Sequence, residues 1–177
     1  MTDADRYRQV IESHRSSHGT VKIELGCGDR KVDPDSIGVD ILPAADVDLV
    51  ADARGMLEAC GRVLRTGGRF RAIIPHFSNP YFYSDPTHDR AYGLYTFSYL
   101  VAETFTTRGV PQYETPLPFR YSNATFAFKS SRPHYVRHGF KQIGRIFNLS
   151  TWLKELYEEN WCWRLPAYEV DYELTKL

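Results

Sequence analysis

Three short apolar runs between residues 21 and 51 constrain the fold of this chain more than any other feature of its sequence. Short apolar runs bounded by turn residues are typical of buried strands. A stretch with helical spacing follows at 56–65, and Gly67 and Gly68 are suited to ending it. This order of elements predicts an α/β fold built on a mostly parallel sheet. The three runs are VKIEL at 21–25, IGVDI at 37–41 and VDLVA at 47–51.

The remaining segments follow from the same patterns. A short amphipathic helix is expected at 3–14, and RFRAII at 69–74 is expected to form a strand. Residues 96–101 are a further helix candidate. Strand-like alternation at 140–147 and 167–174 predicts that strands close the chain and that the sheet ends in an antiparallel strand.

Length, charge and cysteine content limit the class of function. The chain has 177 residues, enough for a single domain over 1–177 and too few for a second core. Its 22 basic and 22 acidic residues cancel, so we expect neither nucleic acid nor a membrane as a partner. Three widely spaced cysteines and the lack of a long apolar run predict a reduced, cytoplasmic protein without an export or membrane segment.

Aromatic residues are unevenly distributed along the chain. They make up 14% of it, yet only Tyr7 precedes Phe70. Between 77 and 125 they alternate with prolines, a mixture that predicts a lid over a pocket. A looped layer that only covers the sheet is the alternative. We therefore divide the chain into an N-terminal helix or tail at 1–19, a cofactor-binding half at 20–76, the aromatic lid at 77–125 and C-terminal strands at 126–177.

A tight glycine turn, ELGCG at 24–28, follows the first predicted strand. Its glycines would let backbone N–H groups approach a nucleotide-type cofactor. NAD is disfavoured, because Lys31 stands at the third glycine position of the dinucleotide motif and Asp40 follows Gly28 by only 12 residues. Asp40 and Asp52 lie at the ends of the next two predicted strands, so we expect them to converge on one crevice. The alternative is that both acids cap strand ends as turn residues.

Several stretches of the chain together resemble the small class I methyltransferases that use S-adenosylmethionine, in particular bacterial members with a DPTH motif. These stretches are IELGCG, IGVDI, VDLVADA, LEACGRVLRTGGRFRAIIPHF and SDPTH, and the resemblance runs from about residue 21 to the C-terminus. It implies a Rossmann-like methyltransferase sheet, shortened in its first half, and S-adenosyl-L-methionine as the cofactor.

The resemblance also implies roles for individual residues. Glu24, Gly26 and Gly28 would lie along the methionine part of the cofactor, Asp40 would bind the ribose hydroxyls, and Asp52 would face the adenine amine. A carboxylate suits these roles because it accepts hydrogen bonds from hydroxyl and amine groups. The predicted cofactor pocket is completed by Cys27, Ile41 and Ala53.

The chain departs from this family in two places. Only 10 residues separate Gly26 from Ile37, so the first crossover is expected to lack its helix. At Arg54 and Gly55 a central strand of the family is absent, and roughly 20 to 30 residues are missing. We expect an omitted segment there, seen as a break in the backbone and unpaired groups beside the first strand. The alternative is a continuous chain in which one of the short strands fills the central place.

Candidate catalytic residues follow the strand at 69–74. Methyl transfer depends mainly on alignment and water exclusion, and it needs a base only when the acceptor carries a proton. The candidates are His76, Tyr83, Asp85 and His88, and the ordinary pKa of histidine, about 6.5, suits His88 as that base. Asp85 equally suits the N-cap of a helix that begins at Pro86. A metal site made of His76, Asp85 and His88 is a weaker alternative, and no metal is predicted.

Two functions stay open at this stage. The first is an enzyme that methylates a small-molecule or glycosidic acceptor. The second is a degenerate relative that binds the cofactor, or nothing, and acts as a partner subunit without catalysis. The sequence has no pattern that identifies the acceptor or the oligomeric state, and a homodimer is kept as an alternative.

Overall fold

A computed structural model describes residues 3–18, 21–25, 27, 31, 33–40, 43, 45–50, 53–86, 88, 90–128 and 144–177. The predicted site residues Gly26, Gly28, Ile41 and Asp52 lie outside these ranges, as does the first half of the strand predicted at 140–147. In chain order the elements are α1 (Asp3–His18), β1 (Ile23–Leu25), β2 (Ile37–Asp40), β3 (Leu49–Val50), α2 (Ala53–Val63), β4 (Arg69–Pro75), two 3-10 turns (Phe82–Ser84 and Phe97–Tyr99), β5 (Val101–Thr104), β6 (Leu117–Ala127), α3 (Gly144–Phe147), α4 (Thr151–Asn160) and β7 (Glu169–Lys176).

The first three strands form a small parallel sheet in the order β1-β2-β3. Ile23 pairs with Ile37, and Val39 pairs with Leu49. Ile37 and Val39 are almost completely buried, as expected for a strand covered on both sides. In the connection between β1 and β2, the described residues 33–36 form a turn. The three predicted strands and their parallel arrangement are confirmed.

Helix α1 packs beside this sheet and is longer than expected. It continues to His18, whereas the sequence predicted an end at residue 14. Ser16 and Ser17 lie in the added turn, and each hydroxyl donates to the carbonyl oxygen four residues earlier. This bond lets a serine remain inside a helix.

Helix α2 runs without interruption through Arg54 and Gly55. The expected break in the backbone at this position is therefore not present. Leu57 and Cys60, on the inner face of the helix, are fully buried. Gly67 follows with a φ of +79°, the left-handed conformation that ends helices.

The remaining strands form a second sheet in the order β4-β7-β6-β5. β7 runs antiparallel to both of its neighbours, and β5 runs parallel to β6. The protein is therefore an α/β structure with a mixed sheet arrangement, mostly parallel with some antiparallel strands. The predicted antiparallel strand at the C-terminus is confirmed by β7.

The two sheets meet where the resemblance placed the missing strand. β1 lies beside β4, yet no hydrogen-bonded ladder joins them among the described residues. The alternative that one of the short strands would fill the central place is therefore wrong. β1 lies directly beside β4 without a described ladder between them, so the strands form two separate sheets.

The predicted lid at 77–125 does not match the observed elements. It contains β5 and most of β6, and the boundary at 125/126 falls inside β6. Phe119, Tyr121 and Phe126 on β6 are buried in the core. Their alternation is interrupted by a bulge between Tyr121 and Asn123, which hides the strand from a search for period two. The helix predicted at 96–101 is reduced to the 3-10 turn Phe97–Tyr99, because β5 begins at Val101.

The C-terminal region at 126–177 contains two helices as well as β7. Residues 144–147, predicted as part of a strand, form the short helix α3. Helix α4 was not predicted. It begins after Ser150, whose hydroxyl accepts a hydrogen bond from the amide of Leu153 at 3.2 Å, a typical N-cap.

The core is unusually rich in tyrosine. Tyr121, Tyr157 and Tyr172 are fully buried, and each hydroxyl donates to a backbone carbonyl oxygen at 2.9 Å. These bonds satisfy hydroxyls that would otherwise be costly to bury. Many aromatics of the second half therefore build the core under the sheet. No helix in the described part of the chain is long and apolar enough to cross a membrane.

Candidate functional site

The structure describes four residues of the predicted cofactor site: Glu24, Cys27, Asp40 and Ala53. Glu24 lies in β1 and pairs with Gly38, while Asp40 is the last residue of β2 and pairs with Val50. Since β1, β2 and β3 are parallel, their carboxyl ends lie at one edge of the sheet. Cys27, in the turn after β1, is buried, and its amide donates to the carbonyl oxygen of Val39 at 3.5 Å.

The environment of Cys27 includes burial and two of the predicted acidic residues. The pKa of the Cys27 thiol is raised to about 11. Burial is the largest cause, and the negative charges of Asp40 and Glu24 add to it. The strand register places Glu24 and Asp40 near the carboxyl ends of β1 and β2, and the amide of Cys27 bonds β2 at Val39. Three of the predicted cofactor residues therefore lie at this edge of the sheet.

Glu24 also has a local structural role. Its Oε2 accepts a hydrogen bond from the amide of Asp33 at 3.1 Å and lies 3.2 Å from the hydroxyl of Ser36. The carboxylate thus holds the turn that leads into β2. Because residues 33–36 directly precede β2, this turn lies at the amino ends of β1 and β2, and the contacts of Glu24 there are structural.

Lys31 and Asp48 form a second set of contacts that the sequence did not reveal. Lys31 Nζ lies 2.7 Å from Asp48 Oδ2, and the same oxygen accepts from the amide of Gly38 at 2.8 Å. Although burial raises the pKa of Asp48, the hydrogen bonds from Lys31 and Gly38 outweigh it and hold that pKa below its usual value. Lys31, which stands at the third glycine position of the dinucleotide motif, therefore links the segment after β1 to Asp48, just before β3.

Gly38 is the position in β2 where neighbouring segments of the chain come closest. A Cβ at this position would lie 2.2 Å from the carbonyl oxygen of Asp46 and 2.8 Å from Cys27 Sγ. Only glycine allows that approach. The glycine inside an otherwise apolar strand was the sequence feature that could have predicted it.

His76, the first catalytic candidate, is fully buried. Its Nδ1 accepts from the amide of Ser78 at 3.1 Å and lies 2.7 Å from the Ser78 hydroxyl. Its Nε2 lies 2.8 Å from Glu158 Oε2. Both ring nitrogens are occupied by protein groups, so in this structure His76 has no nitrogen available to a substrate.

Tyr83, Asp85 and His88 lie together near the surface. Asp85 follows the 3-10 turn Phe82–Ser84, and His88 Nε2 lies 3.8 Å from Asp85 Oδ2. The His88 ring stacks on Phe82 with centroids 4.9 Å apart. The described residues 85, 86 and 88 are not helical, so the alternative of a helix N-cap at Asp85 is wrong for them.

These three residues offer acid–base groups but not a metal centre. No group of three or more His, Cys, Asp or Glu side chains in the described ranges could hold a metal ion. His76 faces Ser78 and Glu158, so it is not combined with Asp85 and His88 as a ligand set. His88 Nδ1 lies 3.2 Å from the carbonyl oxygen of Phe82, and this contact, together with the stacking on the Phe82 ring, orients the imidazole.

Ala53 is the first residue of α2. Together with Glu24, Cys27 and Asp40 it completes the described part of the predicted cofactor set.

In comparisons with known proteins, no protein-family model matches the chain, and no curated protein gives a significant match.

Proposed function

We propose that this chain binds S-adenosyl-L-methionine at the carboxyl ends of β1, β2 and β3 and transfers its methyl group to a small-molecule or glycosidic acceptor. The observation that carries the proposal is that Glu24 and Asp40 lie on adjacent parallel strands near their carboxyl ends, with Cys27 bonded to Val39 beside them. Carboxylates at this edge of an α/β sheet suit a ligand with hydroxyl and amine groups and do not suit a phosphate.

The acidic side chains at this edge of the sheet suit the proposed cofactor. Asp40 ends β2, where its carboxylate would accept the two ribose hydroxyls. Glu24 would lie along the methionine part, and its Oε2 also holds the turn at 33–36. When bound, the cofactor supplies an electrophilic methyl group on a sulfonium. The protein then has to align the acceptor and exclude water.

An acceptor hydroxyl or amine would also need a base. His88 is the candidate that the geometry favours, since its side chain is 29% exposed and lies beside Asp85. His76 does not serve this purpose, because Ser78 and Glu158 occupy its nitrogens. The proposed acceptor site is therefore the surface around Tyr83, Asp85 and His88.

A second candidate function is a non-catalytic relative that binds the cofactor, or nothing, and acts as a partner subunit. Two observations favour it. His76 at the end of β4 is used entirely by the protein, and the sheet is divided between β1 and β4.

Isothermal titration with S-adenosylmethionine and with its demethylated product separates these functions. Binding of both ligands, followed by methyl transfer to a glycoside or small-molecule acceptor, is the result we expect. Binding without transfer to any acceptor tested would support the non-catalytic function. If neither ligand binds, the enzyme proposal is overturned.

A further inference from the structure

Two exposed aromatic side chains lie against each other beyond the end of β4. The rings of Tyr83 and Trp163 have centroids 6.4 Å apart, and the angle between their planes is 29°. Both residues are 64% exposed. Tyr83 belongs to the 3-10 turn after β4, whereas Trp163 follows α4, so the tertiary structure brings together distant parts of the chain.

Less exposed rings hold both side chains in place. Trp163 packs against Phe77 with centroids 5.4 Å apart, and Tyr83 meets Phe82 edge to face at 5.2 Å. Phe82 is itself only 8% exposed. A ring supported in this way loses little conformational freedom when a ligand stacks on it. The pair is therefore a preformed surface for a ligand.

Polar residues follow both rings in the sequence. Ser84 and Asp85 follow Tyr83, Arg164 follows Trp163, and all three are exposed. A wholly apolar ligand would leave these groups unused or desolvated. A ligand that suits the surface has one apolar face and hydrogen-bonding groups around its edge.

We propose that Tyr83 and Trp163 form a platform that binds the pyranose ring of a saccharide. One face of such a ring presents C–H bonds with partial positive charge, which the negative face of an aromatic ring attracts. The hydroxyls at its edge can donate to the Asp85 carboxylate and accept from the Arg164 guanidinium. The chemistry of the surface thus matches both parts of a sugar.

The platform also identifies the acceptor class of the proposed methyl transfer, and in that role it rests on the proposed function. Asp85 and His88 follow Tyr83 by two and five residues, so a sugar hydroxyl at the edge of the platform would lie near the candidate base. Saccharide binding itself needs no cofactor and can be measured without it.

The test uses saturation-transfer difference NMR on the full chain without cofactor. The probes are the methyl glycosides of glucose, galactose and mannose. We expect transfer to the protons of one ring face, and we expect affinity to fall about tenfold in Trp163→Ala and in Tyr83→Ala. Trp152→Ala is the matched control, because Trp152 is also 64% exposed but lies at the start of α4. Its affinity should stay within about twofold of the wild type.

Thermal unfolding checks that each variant is folded, and the two platform variants act as independent tests. Absence of transfer from all three glycosides, or equal transfer in the platform and control variants, would overturn the platform. Binding to phosphatidylcholine vesicles that Trp163→Ala abolishes, without glycoside binding, would overturn it in favour of an apolar partner. Glycoside binding in a protein that does not bind S-adenosylmethionine would keep the platform and remove its role in methyl transfer.

Discussion

His76 Nε2 donates a hydrogen bond to Glu158 across 2.8 Å, and this buried pair joins the end of β4 to α4. The amide of Ser78 donates to Nδ1, so the neutral ring carries its proton on Nε2. The second oxygen of Glu158 accepts from the amide of Leu94 at 2.7 Å. One carboxylate therefore fixes three segments of the chain.

Replacing Glu158 should destabilise the fold. In Glu158→Ala, both Nε2 of His76 and the amide of Leu94 lose their partner in a buried region. We expect the free energy of unfolding to fall by about 2 to 4 kcal/mol, the cost of leaving such donors unpaired. Urea unfolding followed by circular dichroism measures this change.

Glu159→Ala is the matched control for that measurement. Glu159 is adjacent on α4 and bonds Tyr95 and Arg108, but its side chain is 40% exposed. An exposed pair contributes about 1 kcal/mol or less. Equal losses in the two variants would contradict the structural role of the His76–Glu158 pair.

The thiol of Cys27 should be unreactive in the folded protein. Its pKa is raised from 9.0 to about 11, first by burial and then by Asp40 and Glu24. The folded state therefore favours the neutral thiol, and this contribution to stability is complete below pH 9 and is lost as the pH rises toward 11. Iodoacetamide labelling at pH 8, read by mass spectrometry, should modify Cys27 only after unfolding.

Asp40→Asn provides the corresponding variant. Removing the negative charge lowers the pKa of Cys27, so labelling of the folded protein at pH 9 should become faster than in the wild type. An unchanged rate would separate Asp40 from the turn and would remove the convergence on which the cofactor site depends.

Substitution of Gly38 should disturb the connection between β2 and β3. In Gly38→Ala the new Cβ would clash with the backbone oxygen of Asp46, so β2 and this connection have to move apart. We expect a loss of about 1 to 3 kcal/mol in the free energy of unfolding. Gly109→Ala is the control, since a Cβ there meets nothing within 4 Å, and a thermal shift as large in Gly109→Ala would refute the steric explanation.

The last prediction concerns the cofactor. Asp40→Ala should weaken binding of S-adenosylmethionine by about 1 to 3 kcal/mol, because a charged acceptor of hydrogen bonds is removed. Asp35→Ala, an exposed turn residue near the same sheet, should leave the affinity unchanged in titration calorimetry. Equal affinity in both variants would assign Asp40 to a turn.

The strands and the helix of the first half could be predicted because their patterns are local. Apolar runs closed by glycine or aspartate indicated β1, β2 and β3, and helical spacing before Gly67 indicated α2. The convergence of Glu24 and Asp40 also followed from sequence, since parallel strands present their carboxyl ends at one edge.

Strand β6 and helix α4 could not be predicted in the same way. The bulge between Tyr121 and Asn123 changes which residues face the core, so no single period describes the strand. In α4, Lys154 and Glu155 are buried because they bond Asn123 and the amides of residues 107 and 108. In a sequence, charged residues indicate an exposed helix face, and their distant partners are not visible there. The burial of this face could therefore not be predicted.

The sequence by itself determined the α/β class, the parallel first sheet and the acids at its edge, because each depends on residues close together in the chain. Only the tertiary structure decided that β1 would lie beside β4 without pairing, that Glu158 would occupy His76, and that Trp163 would meet Tyr83. These outcomes depend on contacts between distant residues, where burial and the demand for hydrogen-bond partners outweigh local preference.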